Sequence, residues 1–166
     1  MKNKEIFTVC FCLLIITGVS LNFDFYQNAV HPLILTKEHL DEIVGSSETP
    51  QIQEHLIEIK QNLSRIMENL PEDKNPVWFF PTESTNFLRI ENDVDVMIVS
   101  IDKLSEIPTD TSEYHTGMID IKDRTNLLRE NLQDARGFLY GSATNVFFTL
   151  VWMTGVVGLT KMWIGE

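Results

Sequence analysis

Two long stretches without a charged side chain bracket an acidic middle, and no fold that ignores this segregation suits the chain. Ile6–Phe23 supplies 18 uncharged residues and Gly137–Thr160 supplies 24. Between them, residues 24–136 carry 22 acidic and 10 basic side chains, a net charge of −12. A helix crosses a hydrocarbon core of about 30 Å with about 20 apolar residues. Both runs therefore predict transmembrane helices, at 6–30 and 137–161. The first also fits a cleaved signal over 1–20, since Lys2 and Lys4 precede a short apolar stretch and Gly18-Val19-Ser20 supplies small residues. In either case the two lysines keep residues 1–5 cytoplasmic and residues 31–136 are exported, with 162–166 returning inside. The expected location is the cell membrane with an extracytoplasmic acidic segment. Arg136, on the outer flank of the last apolar run, pulls against that orientation.

The middle is written in one helical period. Ile52, Leu56, Ile59, Leu63, Ile66 and Leu70 alternate steps of four and three. So do Phe87, Ile90, Val94, Met97, Ile101 and Leu104, and again Tyr114, Met118, Ile121, Thr125, Leu128, Leu132, Ala135 and Leu139. Alternating steps of three and four keep every member on one stripe, as in a coiled coil or narrow bundle. Thr49-Pro50, Thr82 or Ser84, and Thr109 or Thr111 are the expected starts of these helices, and Pro71 and Pro108 the stops. A shorter helix, Lys37–Val44, is expected between Thr36 and Gly45, on the axis of the first apolar run after a break at Pro32. "VDVMIVSI" (94–101) has the β-branched content of a strand, but its stripe extends both ways and favours helix. The expected class is all-α: a membrane-anchored antiparallel bundle of three to four helices between two transmembrane helices. Lys122, Arg124, Arg129 and Arg136 flank the third stripe, and Glu91 and Asp93 the second, so these two helices are expected to pair by charge.

Alternation of direction places the connection 71–83 at the membrane end. Its "VWFFP" carries Trp78, Phe79 and Phe80, whose ring area suits either the lipid–water boundary or the open end of the bundle.

"EHLDEIV" (38–44) and "EHLIEIK" (54–60) nearly repeat, sixteen residues apart. Each offers a His and a Glu three positions on, which share a helical face. His39, Glu42, His55 and Glu58 are thus candidate ligands for a divalent metal if the two faces meet across a hairpin. The pattern reads first as a solvated amphipathic surface, with metal binding the alternative. Glu-x-x-His, the order used in di-iron bundles, is reversed here.

In the last apolar run Gly137, Gly141, Asn145 and Thr149 recur every four residues, with Gly155 nearby. Small residues let backbones approach, and Asn145 can hydrogen-bond between helices. This face is expected to pack on the chain's own first span or on another subunit.

Asn62-Leu63-Ser64 is a glycosylation sequon. Cys10 and Cys12, the only cysteines, lie in the first apolar run, so the middle has neither a disulfide nor a cysteine metal site. No nucleophile–base arrangement, phosphate-binding glycine loop or metalloprotease motif is present, so no enzyme activity and no cofactor is expected. The acidic middle argues against nucleic acid as a partner. In outline the chain resembles the exported helical-bundle sensor modules of bacterial chemoreceptors and sensor kinases. That resemblance implies the architecture and no functional residue. About six residues follow the last span, so a receptor role would need a partner to carry the signal. The expected function is a non-enzymatic accessory or scaffolding subunit of a membrane complex, bound to the bilayer and to a membrane protein or to copies of itself. The alternative is a ligand- or metal-sensing exported module that signals through a partner.

Overall fold

The architecture follows from a computed structural model of the chain that describes residues 3–77, 81–140 and 143–164, with the side chains of 3, 4, 7, 140, 143–145 and 162–164 left out. It is all-helical, with no strand among the described residues. The helices are α1 (Asn3–Phe25), α2 (His31–Gly45), α3 (Thr49–Glu68), α4 (Phe87–Ser105), α5 (Ser112–Tyr140) and α6 (Ala143–Ile164). Helices α2 to α5 run alternately up and down. Each packs on the next, and α5 closes on α2, so four helices enclose one core.

The three stripes read from the sequence are the core. Ile52, Leu56, Ile59, Leu63 and Ile66 are fully buried, as are Phe87 and Val94, and the remaining members of the second and third stripes are buried with them. Leu70 is half-buried at the end of its stripe. Residues 94–101 are helical, because a strand would turn alternate members of the stripe away from the core. The fourth wall comes from α2, through Leu33, Thr36, Leu40 and Ile43.

No break occurs at Pro32. From Asn3 to Gly45 the chain is one helical rod, about 60 Å long at 1.5 Å per residue, with a π-helical turn at Tyr26–Val30. Proline has no N–H and its ring crowds the carbonyl four residues back. The wider π turn, closed by His31 N–H donating to the Tyr26 carbonyl, accommodates both at the start of α2. Thr36, expected as a cap, lies inside the helix, and its buried hydroxyl donates to the Pro32 carbonyl at 2.8 Å. α4 starts one residue after Asn86, an unpredicted cap whose Oδ1 accepts from the backbone of Leu88 and Arg89. Thr111 caps α5 as expected, accepting from Tyr114 N at 3.2 Å.

The charge pairing differs from the expectation. Arg129 reaches Asp41 of α2 at 2.9 Å, and Arg124 binds Asp120 within its own helix. The acidic flank of α4 faces α3 instead: Lys60 donates to Asp95 at 2.6 Å and Ser64 to Glu91 at 3.2 Å. Apolar stripes set the neighbours, and long charged side chains take whichever partner comes within reach. The hydrogen bond to Asp95 holds the Lys60 ammonium above its ordinary range. A raised lysine contributes stability through neutral pH and loses it as pH climbs through the raised value.

Asn62, the sequon residue, is buried, and its Nδ2 has no hydrogen-bond partner among the described residues. A glycan has no access to it in the folded chain. An unpaired buried donor costs about 1–3 kcal/mol. Asn62→Leu, similar in branching and with nothing to desolvate, is therefore expected to stabilise the fold by about 1 kcal/mol, read as a higher melting temperature. A lower melting temperature would mean the amide has a role that packing does not reveal.

The ends of the bundle are distinct. At one end the Tyr114 hydroxyl donates to the Ser47 carbonyl, tying the start of α5 to the α2–α3 turn. At the other end Ile66 of α3, Asn69 and Leu70 just after it, and Leu139 of α5 share one groove with the π turn and with α1 and α6. The connection from α3 to α4 lies at this second end, on the side the alternation predicts.

α1 and α6 pack side by side. The 38-residue rod Thr8–Gly45 contains an 18-residue window of mean hydropathy 1.8 with only 6% of it buried, long and apolar enough to cross a membrane. Val146–Lys161 is a shorter apolar helix.

Candidate metal centre

His39 lies six residues before the end of α2, and His55 six residues after the start of α3. Antiparallel packing around the short turn at 46–48 brings positions equidistant from it level with each other. The two imidazoles consequently meet, with Nδ1 to Nδ1 at 3.1 Å and ring centroids 5.3 Å apart. Leu40 and Leu56, next in sequence, are fully buried, which orients both His side chains to the edge of the α2–α3 interface. There they are 24% and 23% exposed.

Glu42 completes the group. In a helix, side chains lean toward the N-terminus, so a residue three positions on reaches back over the one before it. Glu42 Oε2 lies 3.8 Å from His39 Nδ1 and 3.1 Å from His55 Nδ1. His39, Glu42 and His55 thus offer one donor atom each, all within 4.8 Å of one another. Of the four residues singled out by the near-repeat, the structure brings together three. Glu58 is exposed and is not part of the group, so the near-symmetry of the hairpin is realised on one side only.

Three potential ligand atoms converge here. An N–H on His55 Nδ1 can serve His39 Nδ1 or Glu42 Oε2, and in either case the remaining electron pairs still face one another. A cation at the centre would satisfy all three.

The other sequence candidates fare differently. Trp78, Phe79, Phe80 and Gly141 lie outside the described residues, as does the side chain of Asn145. The segment on either side of the three aromatics is tightly held, because the buried Asn75 side chain binds Val77 N, the Thr82 carbonyl and the Thr85 hydroxyl. Gly137 is exposed, with open space where a Cβ would lie. Thr149 lines the groove of about 660 Å³ between the bundle and the apolar helices, together with Leu21, Phe25, Phe148 and Trp152. The α1–α6 contact instead centres on Gly18, which lies under the Trp152 ring, and on Gly155, which faces Leu14. The Trp152 indole N–H donates to the Leu14 carbonyl at 3.0 Å. A glycine facing a large ring carries no periodic signal, and in the sequence Gly18 fits a signal-cleavage site equally well.

The chain matches no model of a known protein family, no curated protein and no solved structure. Its function therefore rests on the residues themselves.

Proposed function

We propose that this is a membrane-anchored, non-enzymatic helical bundle that serves as an accessory or scaffolding subunit of a membrane complex, with residues 31–136 on the extracytoplasmic side. One observation carries the reading. The stripe side chains of the bundle point inward and leave only scattered apolar residues such as Ile57, Val99 and Ile119 on its surface, whereas the paired α1 and α6 expose theirs along their length: Leu13, Ile16, Val19 and Phe23 on one, Phe147, Leu150, Val151 and Val157 on the other. So large an apolar surface at one end of an acidic body calls for lipid or a partner. The hydroxyls in it fit that setting. Thr17, Thr154 and Thr160 donate to carbonyls four residues back within their own helices, so these three hydroxyls are satisfied without water. The Trp78–Phe80 segment, carried on the connection at this same end, would sit at the outer lipid–water boundary.

The test is the mass of the assembly extracted from its native membrane in mild detergent. A subunit gives a protein mass above the 19.1 kDa of the chain, which falls when Leu150 and Val151 are changed together to serine. A chain that behaves as a monomer in every detergent and in lipid discs contradicts the reading.

A second reading, a sensing module that signals through a partner, is favoured by the convergence of His39, Glu42 and His55. α2 is continuous with the apolar rod, so whatever joins α2 to α3 acts on the helix that would enter the membrane.

A further inference from the structure

We infer that His39, Glu42 and His55 form a binding site for a zinc-class divalent metal ion, clipping α3 to the long α1–α2 rod. The inference deepens the sensing reading, and the site itself does not depend on the membrane assignment.

The distances carry it. Tetrahedral zinc, with bonds to nitrogen and carboxylate oxygen of about 2.0–2.2 Å, separates its ligand atoms by about 3.3–3.5 Å. The three separations here are 3.1, 3.1 and 3.8 Å, which bracket that spacing without any movement of the backbone. The donor set agrees in kind. Two neutral imidazoles and one carboxylate suit borderline ions such as zinc, cobalt and nickel, while calcium and magnesium prefer oxygen alone. Access agrees as well. The histidines are about three-quarters covered and held by the packed hairpin, whereas Glu42 is 59% exposed, so an ion can enter from solvent and keep water at its fourth position.

His39 and His55 come from different helices, so the ion bridges two elements instead of decorating one. Coordination would add a cross-link six residues from the turn, where α2 and α3 are otherwise held by apolar contacts such as those of Leu40, Ile43, Ile52 and Leu56. Each metal bond requires a deprotonated Nδ1, so binding releases any proton held there.

The experiment titrates Zn2+ and Co2+ into the full chain in detergent micelles. One equivalent of Co2+ is expected to bind, with the intense visible absorption of a low-coordinate site, and Zn2+ should displace it while Mg2+ and Ca2+ do not. His39→Ala and His55→Ala should each weaken binding by about 100-fold or more, beyond the 10–100-fold that loss of an outer-shell partner brings. Glu42→Gln should also weaken it, by about tenfold or more, and Glu58→Gln should leave it unchanged. Circular dichroism confirms that each variant is folded; for any that is not, His39→Gln or His55→Gln keeps the volume and repeats the test. Absence of saturable binding overturns the site, and so does binding that survives the His39/His55 double substitution. Failure of the sensing reading looks different. Tight, histidine-dependent binding that raises the melting temperature but leaves the distance between spin labels on α1 and α6 unchanged keeps the site and removes the sensing role.

Discussion

Asn75→Ala will lower the stability of the folded chain by about 2–3 kcal/mol, although Asn75 belongs to no helix. Asn75 is 6% exposed, and its side chain supplies the hydrogen bonds that secondary structure supplies elsewhere. Oδ1 accepts from Val77 N at 3.0 Å and from the Thr85 hydroxyl at 3.1 Å, and Nδ2 donates to the Thr82 carbonyl at 3.1 Å. Alanine leaves the buried Val77 N–H without its partner and takes one donor from Thr82. The Thr85 hydroxyl can turn its single hydrogen to the Thr82 carbonyl, 3.0 Å away, which limits the loss. A neighbouring change, Glu72→Ala, removes an exposed side chain and should alter stability by less than about 0.5 kcal/mol. Denaturant titration of the pair decides it. Equal midpoints for the two variants would mean that this connection does not depend on Asn75. The consequence reaches function, because the same clamp holds both flanks of the aromatic segment proposed to meet the lipid boundary.

Gly18→Leu is the second large effect, and it acts on the apolar pair instead of the bundle. A Cβ at position 18 would lie 2.3 Å from Trp152 Nε1 and 2.7 Å from its Cε2. No side chain fits without expelling the indole from α1 and breaking its bond to the Leu14 carbonyl. Overpacking of this kind costs about 1–3 kcal/mol, and an interhelical hydrogen bond in lipid adds about 1 kcal/mol. Spin labels at Val19 and Val151, with Cys10 and Cys12 changed to serine, should report one short distance in the parent. The Gly18→Leu variant should give a longer and broader distribution. Trp152→Ala should lose the hydrogen bond yet keep the helices closer than Gly18→Leu does, since it opens space instead of filling it. An unchanged distance in Gly18→Leu would refute the contact.

The sequence was most legible where one physical rule acted alone. The three stripes from Ile52 to Leu139 predict the core residue by residue, because helical periodicity and burial make the same demand. The meeting of His39 and His55 was legible for a related reason: equal spacing from a short turn forces antiparallel neighbours level. The choice between Glu42 and Glu58 was not, since both occupy equivalent places on their helices and only side-chain placement separates them. Pro32 misled because a proline commonly ends a helix, whereas here a π turn absorbs it. Arg124 and Arg129 misled because flexible ions on a surface follow packing and do not direct it. Gly18 and Trp152 left no repeating pattern to read. The close approach of a small residue and a large ring appears only once two helices are side by side.

The topology that underlies the proposed function has a direct test in single cysteines placed in the full chain, again without Cys10 and Cys12, and reconstituted in sealed vesicles with known orientation. A membrane-impermeant maleimide should label Ser47→Cys and Asp110→Cys quickly from the side opposite Lys161, and should barely label Val19→Cys or Leu150→Cys. Labelling at Val19 and Leu150 as fast as at Ser47 would place the apolar pair in water and contradict a bundle held to the bilayer by both helices.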